Sequence, residues 1–175
     1  LREQRALAAL LSPCGKMLIT AITDLQGVTY IEFRNIEEEG RGVFKRFIMK
    51  DIDKVFKMYV DPQSVHIILI LGNGKVVLIN RLTENMIDLP MKIDLEGKIP
   101  ELNFSPDSKL ICSGSNEGLL TIFELRKNSV AEVVRLQGHL SPCLSAKFST
   151  KYLMLATACK NVVFWLPKQW EIKDT

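Results

Sequence analysis

One short pattern recurs four times along this chain and limits its fold more than any other feature. In each copy, two apolar residues on one side of a strand precede a turn, and two further apolar strands follow, separated by polar or glycine turns. The copies lie about 44 residues apart, a spacing at which sequence repeats form self-similar structural units. The turns that mark the four copies are Leu11-Ser12-Pro13, Val60-Asp61-Pro62, Phe104-Ser105-Pro106 and Phe148-Ser149-Thr150.

Each copy contains apolar segments of strand length between Gly, Pro and Asn turns, and no long helical periodicity competes with them. A repeat of this length with four short strands is typical of β-propeller blades. The sequence therefore predicts an all-β fold, a partial β-propeller of about four four-stranded antiparallel blades. The predicted blades within the single domain 1–175 are residues 6–48, 54–93, 99–136 and 141–173. The predicted strands include Val55–Val60, Pro100–Phe104, Leu119–Leu125, Cys143–Phe148, Tyr152–Ala158 and Gln169–Lys173.

Four blades of this type would form an open arc, because repeat units do not bury their apolar faces alone. We therefore expect a preceding segment of the same polypeptide, or another protein, to supply further blades. The two end faces of the arc should then be apolar and should dominate assembly.

Composition is that of an ordinary globular domain, with 47% hydrophobic and 25% charged residues. No apolar run is long enough for a membrane-spanning helix, so no membrane partner is predicted. The net charge of +3 is dispersed and aromatic residues make up 7%, which weakens an RNA-binding interpretation without removing it. The cysteines, Cys14, Cys112, Cys143 and Cys159, lack metal-ligand spacing. Reduced cysteines favour a cytoplasmic or nuclear protein.

No catalytic, cofactor-binding or metal-binding residues are predicted. Gly72-Asn73-Gly74-Lys75 lacks the spacing of a phosphate-binding loop, and Asn-Gly between apolar strands indicates a hairpin turn. The serines that precede prolines have no neighbouring histidine and acid in the sequence to activate them. The sequence therefore predicts a non-enzymatic protein.

Segments in the third and fourth copies carry motifs of a known repeat family. Residues 105–124, which read SPDSKLICSGSNEGLLTIFE, are similar to the core of a WD repeat, and Gly138-His139 resembles the Gly-His that begins one. Trp165 falls where the tryptophan of the repeat would stand. The motifs are degenerate, because the other three copies replace that tryptophan by Glu32, Ile79 and Phe123.

The resemblance implies a hydrogen-bonded link among His139, Thr157 and Trp165, although Cys159-Lys160-Asn161 lacks the acidic turn residue of the family. His139 and Trp165 are accordingly predicted to be structural. Phe104 and Phe148 share one repeat position. Both are predicted to be core residues that contribute comparably to stability. Phe123-Glu124-Leu125-Arg126 is similar to the ending by which some family members bind ubiquitin-ligase adaptors.

The function that these features favour is a scaffold for protein–protein interactions within a larger assembly. RNA binding in a ribonucleoprotein, and substrate reception for a ubiquitin ligase, are the alternatives. The loop Arg34–Arg46 is the longest polar interruption and a further candidate site. Binding of specific partners is predicted on the rim of turns between second and third strands, at Asp24, Gln26, Asn73, Asn116, Glu117 and Lys160. Loops leading into first strands would add Lys50, Asp51, Asp53 and Gln137.

Overall fold

The fold consists of short β-strands joined by turns. The computed structural model describes residues 5–37, 42–49, 54–96, 101–143, 145–152 and 154–166. These ranges contain no helix, and hence none long and apolar enough to cross a membrane. The strands are β1 Arg5–Leu11, β2 Met17–Thr23, β3 Thr29–Asn35, β4 Val43–Met49, β5 Val55–Val60, β6 His66–Leu71, β7 Lys75–Asn80, β8 Met86–Lys92, β9 Leu102–Phe104, β10 Leu110–Gly114, β11 Leu119–Leu125, β12 Val130–Gln137, β13 Ser145–Phe148, β14 Leu155–Ala158 and β15 Val162–Trp165.

The strands form four antiparallel sheets in which each strand pairs with the next along the chain. Sheet 1 contains β1 to β4, sheet 2 contains β5 to β8, sheet 3 contains β9 to β12, and sheet 4 contains β13 to β15. Four successive meanders of this kind are the arrangement expected of propeller blades, and they confirm the predicted all-β fold class. The strand predicted at Gln169–Lys173 lies outside the described residues.

Strands β9, β13 and β14 begin later than predicted. Pro100, the predicted start of β9, lies outside the described residues, and β9 begins at Leu102. The later starts of β13 and β14 have reasons in local hydrogen bonding. The backbone N–H of Cys143 donates to the carbonyl oxygen of Ser115 at 3.0 Å, so β13 begins only at Ser145. Tyr152 belongs to a turn rather than to β14, because its N–H donates to the hydroxyl oxygen of Ser149 at 3.0 Å.

The marker turns of the repeat are closed by their own polar side chains. The hydroxyl oxygen of Ser12 accepts from the N–H of Met17 at 3.0 Å, and that of Ser105 accepts from Leu110 at 2.9 Å. In sheet 2, Asp61 takes the same role and accepts from the N–H of Val65 at 2.7 Å. A short side-chain acceptor at this point satisfies a backbone donor that the turn would otherwise leave unpaired, which explains why the marker recurs.

The chain divides into two compact units, residues 1–95 and 96–175. In the first unit, alternate residues of β2 and β3 turn one face of sheet 1 towards sheet 2. Ile19, Ile31 and Phe33 on that face are fully buried, and they share a core with Ile67 and Leu69 of sheet 2. The placement of the whole chain in one partial propeller stays a prediction.

The core of the second unit lies between sheets 3 and 4. Cys112 and Leu120 of sheet 3 pack with Ala146 and Leu155 of sheet 4, while Phe148 lies partly buried against them. Phe104 is 7% exposed. The two phenylalanines of the repeat therefore differ in burial, and a comparable contribution to stability is no longer expected of them.

Candidate functional site

The six residues predicted for partner binding all lie in turns between the second and third strands of their sheets. Asp24, Gln26 and Asn73 belong to the first compact unit, and Asn116, Glu117 and Lys160 belong to the second. Gln26, Asn73, Glu117 and Lys160 are exposed, whereas Asp24 and Asn116 are partly buried. Of the loop residues added to this set, Gln137 is exposed at the end of β12, and Lys50, Asp51 and Asp53 lie outside the described residues.

Two of the six side chains are engaged in holding their own turns. Asp24 accepts hydrogen bonds from the backbone N–H groups of Gln26 at 2.9 Å and Val28 at 3.0 Å, and from the hydroxyl of Tyr30 at 3.0 Å. The bond to Asp24 raises the pKa of Tyr30. Asn73 accepts from the N–H of Lys75 at 3.0 Å. The role of the six residues in binding stays a prediction, and Gln26, Glu117 and Lys160 are its most accessible members.

A buried polar link joins β14, β15 and the segment before β13. His139 Nε2 lies 2.7 Å from Thr157 Oγ1, and Trp165 Nε1 donates to the same hydroxyl oxygen at 2.8 Å. On the other side of the imidazole, Nδ1 lies 3.0 Å from Cys159 Sγ. The thiol thus occupies the place at which the family resemblance implied an acidic side chain.

Two glycines allow this link to pack closely. A side chain at Gly138 would place its Cβ 2.5 Å from the ring of Trp165, so the indole lies directly against bare backbone. Gly118 has a φ of +79°, and a Cβ there would lie 2.4 Å from the carbonyl oxygen of His139. The glycine before His139 is therefore required by packing.

A groove that sequence reasoning missed lies at the end of sheets 1 and 2 opposite to the predicted rim. It has a volume of about 470 Å³ and is formed by the turn before β2, the end of β3, the start of β4 and the turn before β6. The only sequence signal for it was the polar loop Arg34–Arg46, whose described parts contribute Asn35, Glu37 and Phe44 to the lining.

The outer faces of the two units differ in chemistry. On sheet 1, the face opposite to the core carries Glu32, which is fully buried and paired with Arg34 at 2.7 Å and with Arg46. On sheet 4, the register places Val162 and Phe164 on the face opposite to Trp165, and these are 60% and 62% exposed. The face of sheet 4 opposite to its core is therefore apolar, and that of sheet 1 is mixed; whether these faces are the ends of an arc stays a prediction.

The thiols divide into buried and accessible groups. Burial raises the pKa of Cys112 to about 12 and also raises that of Cys143. A backbone hydrogen bond from Asn161 lowers the pKa of Cys159, and a bond from the Ser12 hydroxyl lowers that of the exposed Cys14. All four cysteines are free. Across the described ranges, no three His, Cys, Asp or Glu side chains converge as a metal site.

The tetrapeptide similar to a ubiquitin-ligase docking ending is part of β11 and the turn after it. Phe123 is buried, and Glu124 accepts from Arg126 at 2.8 Å on the surface. The aromatic ring is therefore inaccessible to a partner, and the exposed arginine is already paired with Glu124.

Two known proteins are among those whose sequences are similar to this chain. Over 109 residues the chain is 36% identical to WD repeat-containing protein 82 of Drosophila melanogaster, an alignment that covers 59% of this chain and 33% of that protein. It is 27% identical over 162 residues to Protein ANTHESIS POMOTING FACTOR 1 of Arabidopsis thaliana, with 85% and 47% covered. These similarities support a WD-repeat family. The chain spans less than half the length of either relative, and no protein-family profile matches it.

The WD-repeat resemblance accords with the linked His139, Thr157 and Trp165. Among solved structures, the chain is similar to a protein described as a 6-phosphogluconolactonase from Bacteroides uniformis, with a TM-score of 0.58 and 16% identity. That similarity covers 89% of this chain and 48% of the other. It concerns the fold alone.

Proposed function

We propose that this chain is a non-catalytic scaffold that binds other proteins within a larger assembly. The observation that carries the proposal is the exposed apolar face of sheet 4, where Val162 and Phe164 are each about 60% exposed; Leu166, directly after β15, is 59% exposed. Apolar faces of this kind mark surfaces that other proteins cover. The similarity to WD repeat-containing protein 82 supports an interaction role in general terms.

The proposal assigns different tasks to the apolar face and to the predicted rim. Burial of Val162 and Phe164 would stabilise a permanent contact, since a fully buried large apolar side chain contributes about 1.5–3 kcal/mol. The polar rim would recognise specific partners by hydrogen bonds. We also propose that the protein acts in the cytoplasm or nucleus, and its four free cysteines support a reducing compartment.

Affinity capture of the tagged protein from cell extract, followed by mass spectrometry, tests the apolar face. We expect stable partners that are lost on the paired change Val162→Thr and Phe164→Thr, because threonine retains strand propensity and removes apolar area. The matched control is Tyr152→Thr, which changes an exposed aromatic residue in a turn of the same unit. Capture that is equally strong with the paired variant and the native chain would refute a role for this face.

The rim requires its own variants. Charge reversal at Asp24 would also remove three hydrogen bonds that hold the turn, so a loss of binding there would be ambiguous. Gln26→Lys and Glu117→Lys are cleaner because both side chains are exposed. We expect these changes to weaken capture of a subset of partners and to leave the circular dichroism spectrum unchanged. Treatment with ribonuclease during capture distinguishes protein partners from RNA-mediated association.

A further inference from the structure

The groove in the first compact unit has the size and the mixed lining of a recognition site. Its volume of about 470 Å³ falls within the range of small-molecule and side-chain binding pockets. Apolar, cationic, acidic and uncharged polar side chains contribute together. The lining residues are Cys14, Lys16, Met17, Asn35, Glu37, Phe44, Pro62, Gln63, Ser64 and Arg81.

Arg81 provides a fixed positive charge in the groove. Its backbone N–H donates to the carbonyl oxygen of Val65 at 2.8 Å, and its Nε donates to the carbonyl oxygen of Ser64 at 3.0 Å. The guanidinium forms no ion pair within the part of the chain that the structure describes, although the residue is partly buried. A partly desolvated guanidinium without a carboxylate is well suited to accept one from a ligand.

The wall that holds Arg81 is rigid. Asp61, which is fully buried, accepts from the backbone N–H groups of Val65 and His66 at 2.7 and 2.9 Å. Ser64 adopts a left-handed φ of 58° and donates its N–H to the carbonyl oxygen of Asp61 at 3.0 Å. Because this turn is already ordered, little conformational entropy is lost when a ligand contacts it.

A second positive charge is available at the mouth of the groove. Lys16 pairs with Glu37 at 3.2 Å, and both side chains are about 60% exposed. An exposed ion pair of this kind contributes little to stability, so Lys16 can exchange its partner for a ligand carboxylate at low cost.

The apolar part of the groove is formed by Phe44 and Met17. The ring of Phe44 lies 6.3 Å from that of Phe33 in a tilted arrangement, while 52% of the residue is exposed. Met17 also lines the groove and is buried. An aromatic side chain that is anchored on one side and open on the other provides contact area with little loss of rotational freedom.

We propose that this groove binds a protein segment that presents an apolar side chain next to a carboxylate. The apolar side chain would cover Phe44 and Met17, and the carboxylate would pair with Arg81, with Lys16 as a second donor. This inference rests on the proposed scaffold function and adds a defined partner chemistry at the end of the unit opposite to the predicted rim.

The rate of alkylation of Cys14 can be used to measure occupancy of the groove, because this residue lines the groove and is exposed. The hydrogen bond with the Ser12 hydroxyl and the proximity of Lys16 lower the pKa of the Cys14 thiol, which favours the reactive thiolate. Cys159, partly exposed and located in the other unit, serves as the internal control for alkylation.

The test is selection of a random peptide library displayed on phage against the protein, followed by binding measurements with the enriched synthetic peptides. We expect enriched peptides that combine an apolar residue with Asp or Glu. They should slow iodoacetamide labelling of Cys14, read out by mass spectrometry, and leave the labelling of Cys159 unchanged. Arg81→Gln and Phe44→Ser should each weaken binding about tenfold or more, the size of one lost charge-assisted bond or buried apolar contact.

Arg126→Gln is the matched control, since it removes an exposed arginine from the other unit, and it should leave binding unchanged. The inference is overturned if no peptide is enriched, if the enriched peptides lack acidic residues, or if neither groove variant affects them. Protection of Cys14 by a single-stranded RNA oligonucleotide in place of a peptide would also overturn it. If the Val162 and Phe164 changes abolish partner capture but the groove binds no peptide, the scaffold function is supported and this site is excluded.

Discussion

The hydroxyl of Thr157 should contribute more to the free energy of unfolding than its methyl group does. Thr157 is 1% exposed, and its hydroxyl bonds both to His139 Nε2 and to Trp165 Nε1. Thr157→Val preserves the shape of the side chain and leaves both of these groups without a partner. At about 1–3 kcal/mol for each unsatisfied buried group, we expect the free energy of unfolding to fall by about 2–4 kcal/mol.

Two comparison variants separate the hydrogen bonds from packing. Thr157→Ser keeps the hydroxyl and removes one buried methyl group, so it should cost about 1 kcal/mol. Thr121→Val alters a partly buried threonine in the same unit whose hydroxyl makes no hydrogen bond within the described residues, and it should change stability by less than about 0.5 kcal/mol.

Urea unfolding followed by tryptophan fluorescence is the appropriate assay. Trp165 lies in the second compact unit, and Trp170, the other tryptophan of the sequence, falls in the same range of residues 96–175, so the signal reports the unit that contains the mutation. If Thr157→Val proves as stable as Thr157→Ser, then the hydroxyl does not hold these strands together and the hydrogen-bond argument is wrong.

Three further predictions concern packing and reactivity. Phe104→Ala should destabilise by about 3–5 kcal/mol, and Phe148→Ala by clearly less because that ring is only partly buried, an order that urea unfolding would check. Gly15→Ala should cost about 1–2 kcal/mol for its left-handed φ. Gly118→Ala should destabilise more than Gly15→Ala, because a Cβ at Gly118 would collide with backbone and one at Gly15 would not. Equal decreases in melting temperature for the two variants would contradict this. Cys112, with a pKa of about 12, should resist iodoacetamide at neutral pH until the protein is unfolded; rapid labelling of the native state would contradict its burial.

The strands and marker turns were predictable from the sequence because their determinants are local. Strands β5 and β11 have the predicted bounds Val55–Val60 and Leu119–Leu125. In the first three copies the Ser or Asp of the marker closes its turn on a backbone donor four or five residues away, as Ser12 does with Met17, whereas Ser149 accepts from Tyr152, three residues away. Alternation of apolar residues and short-range hydrogen bonds need no knowledge of the rest of the chain.

The polar link in sheet 4 was predictable in part. Family resemblance identified His139, Thr157 and Trp165 as linked residues, and the structure brings them within hydrogen-bond distance. The place of Cys159 on the imidazole could not be read from the sequence, because the thiol reaches Nδ1 only through the geometry of the turn between β14 and β15.

The chemistry of the surfaces was decided by tertiary structure. Cys14 and Ser64 lie far apart in the sequence and line one groove only because sheets 1 and 2 pack face to face. Burial of Glu32 between two arginines, and exposure of Phe164, likewise depend on which side chains meet across a sheet and which face is left uncovered. Local pattern determines whether a residue lies on a strand and on which side, whereas its accessibility and partners depend on contacts between segments that no local pattern encodes.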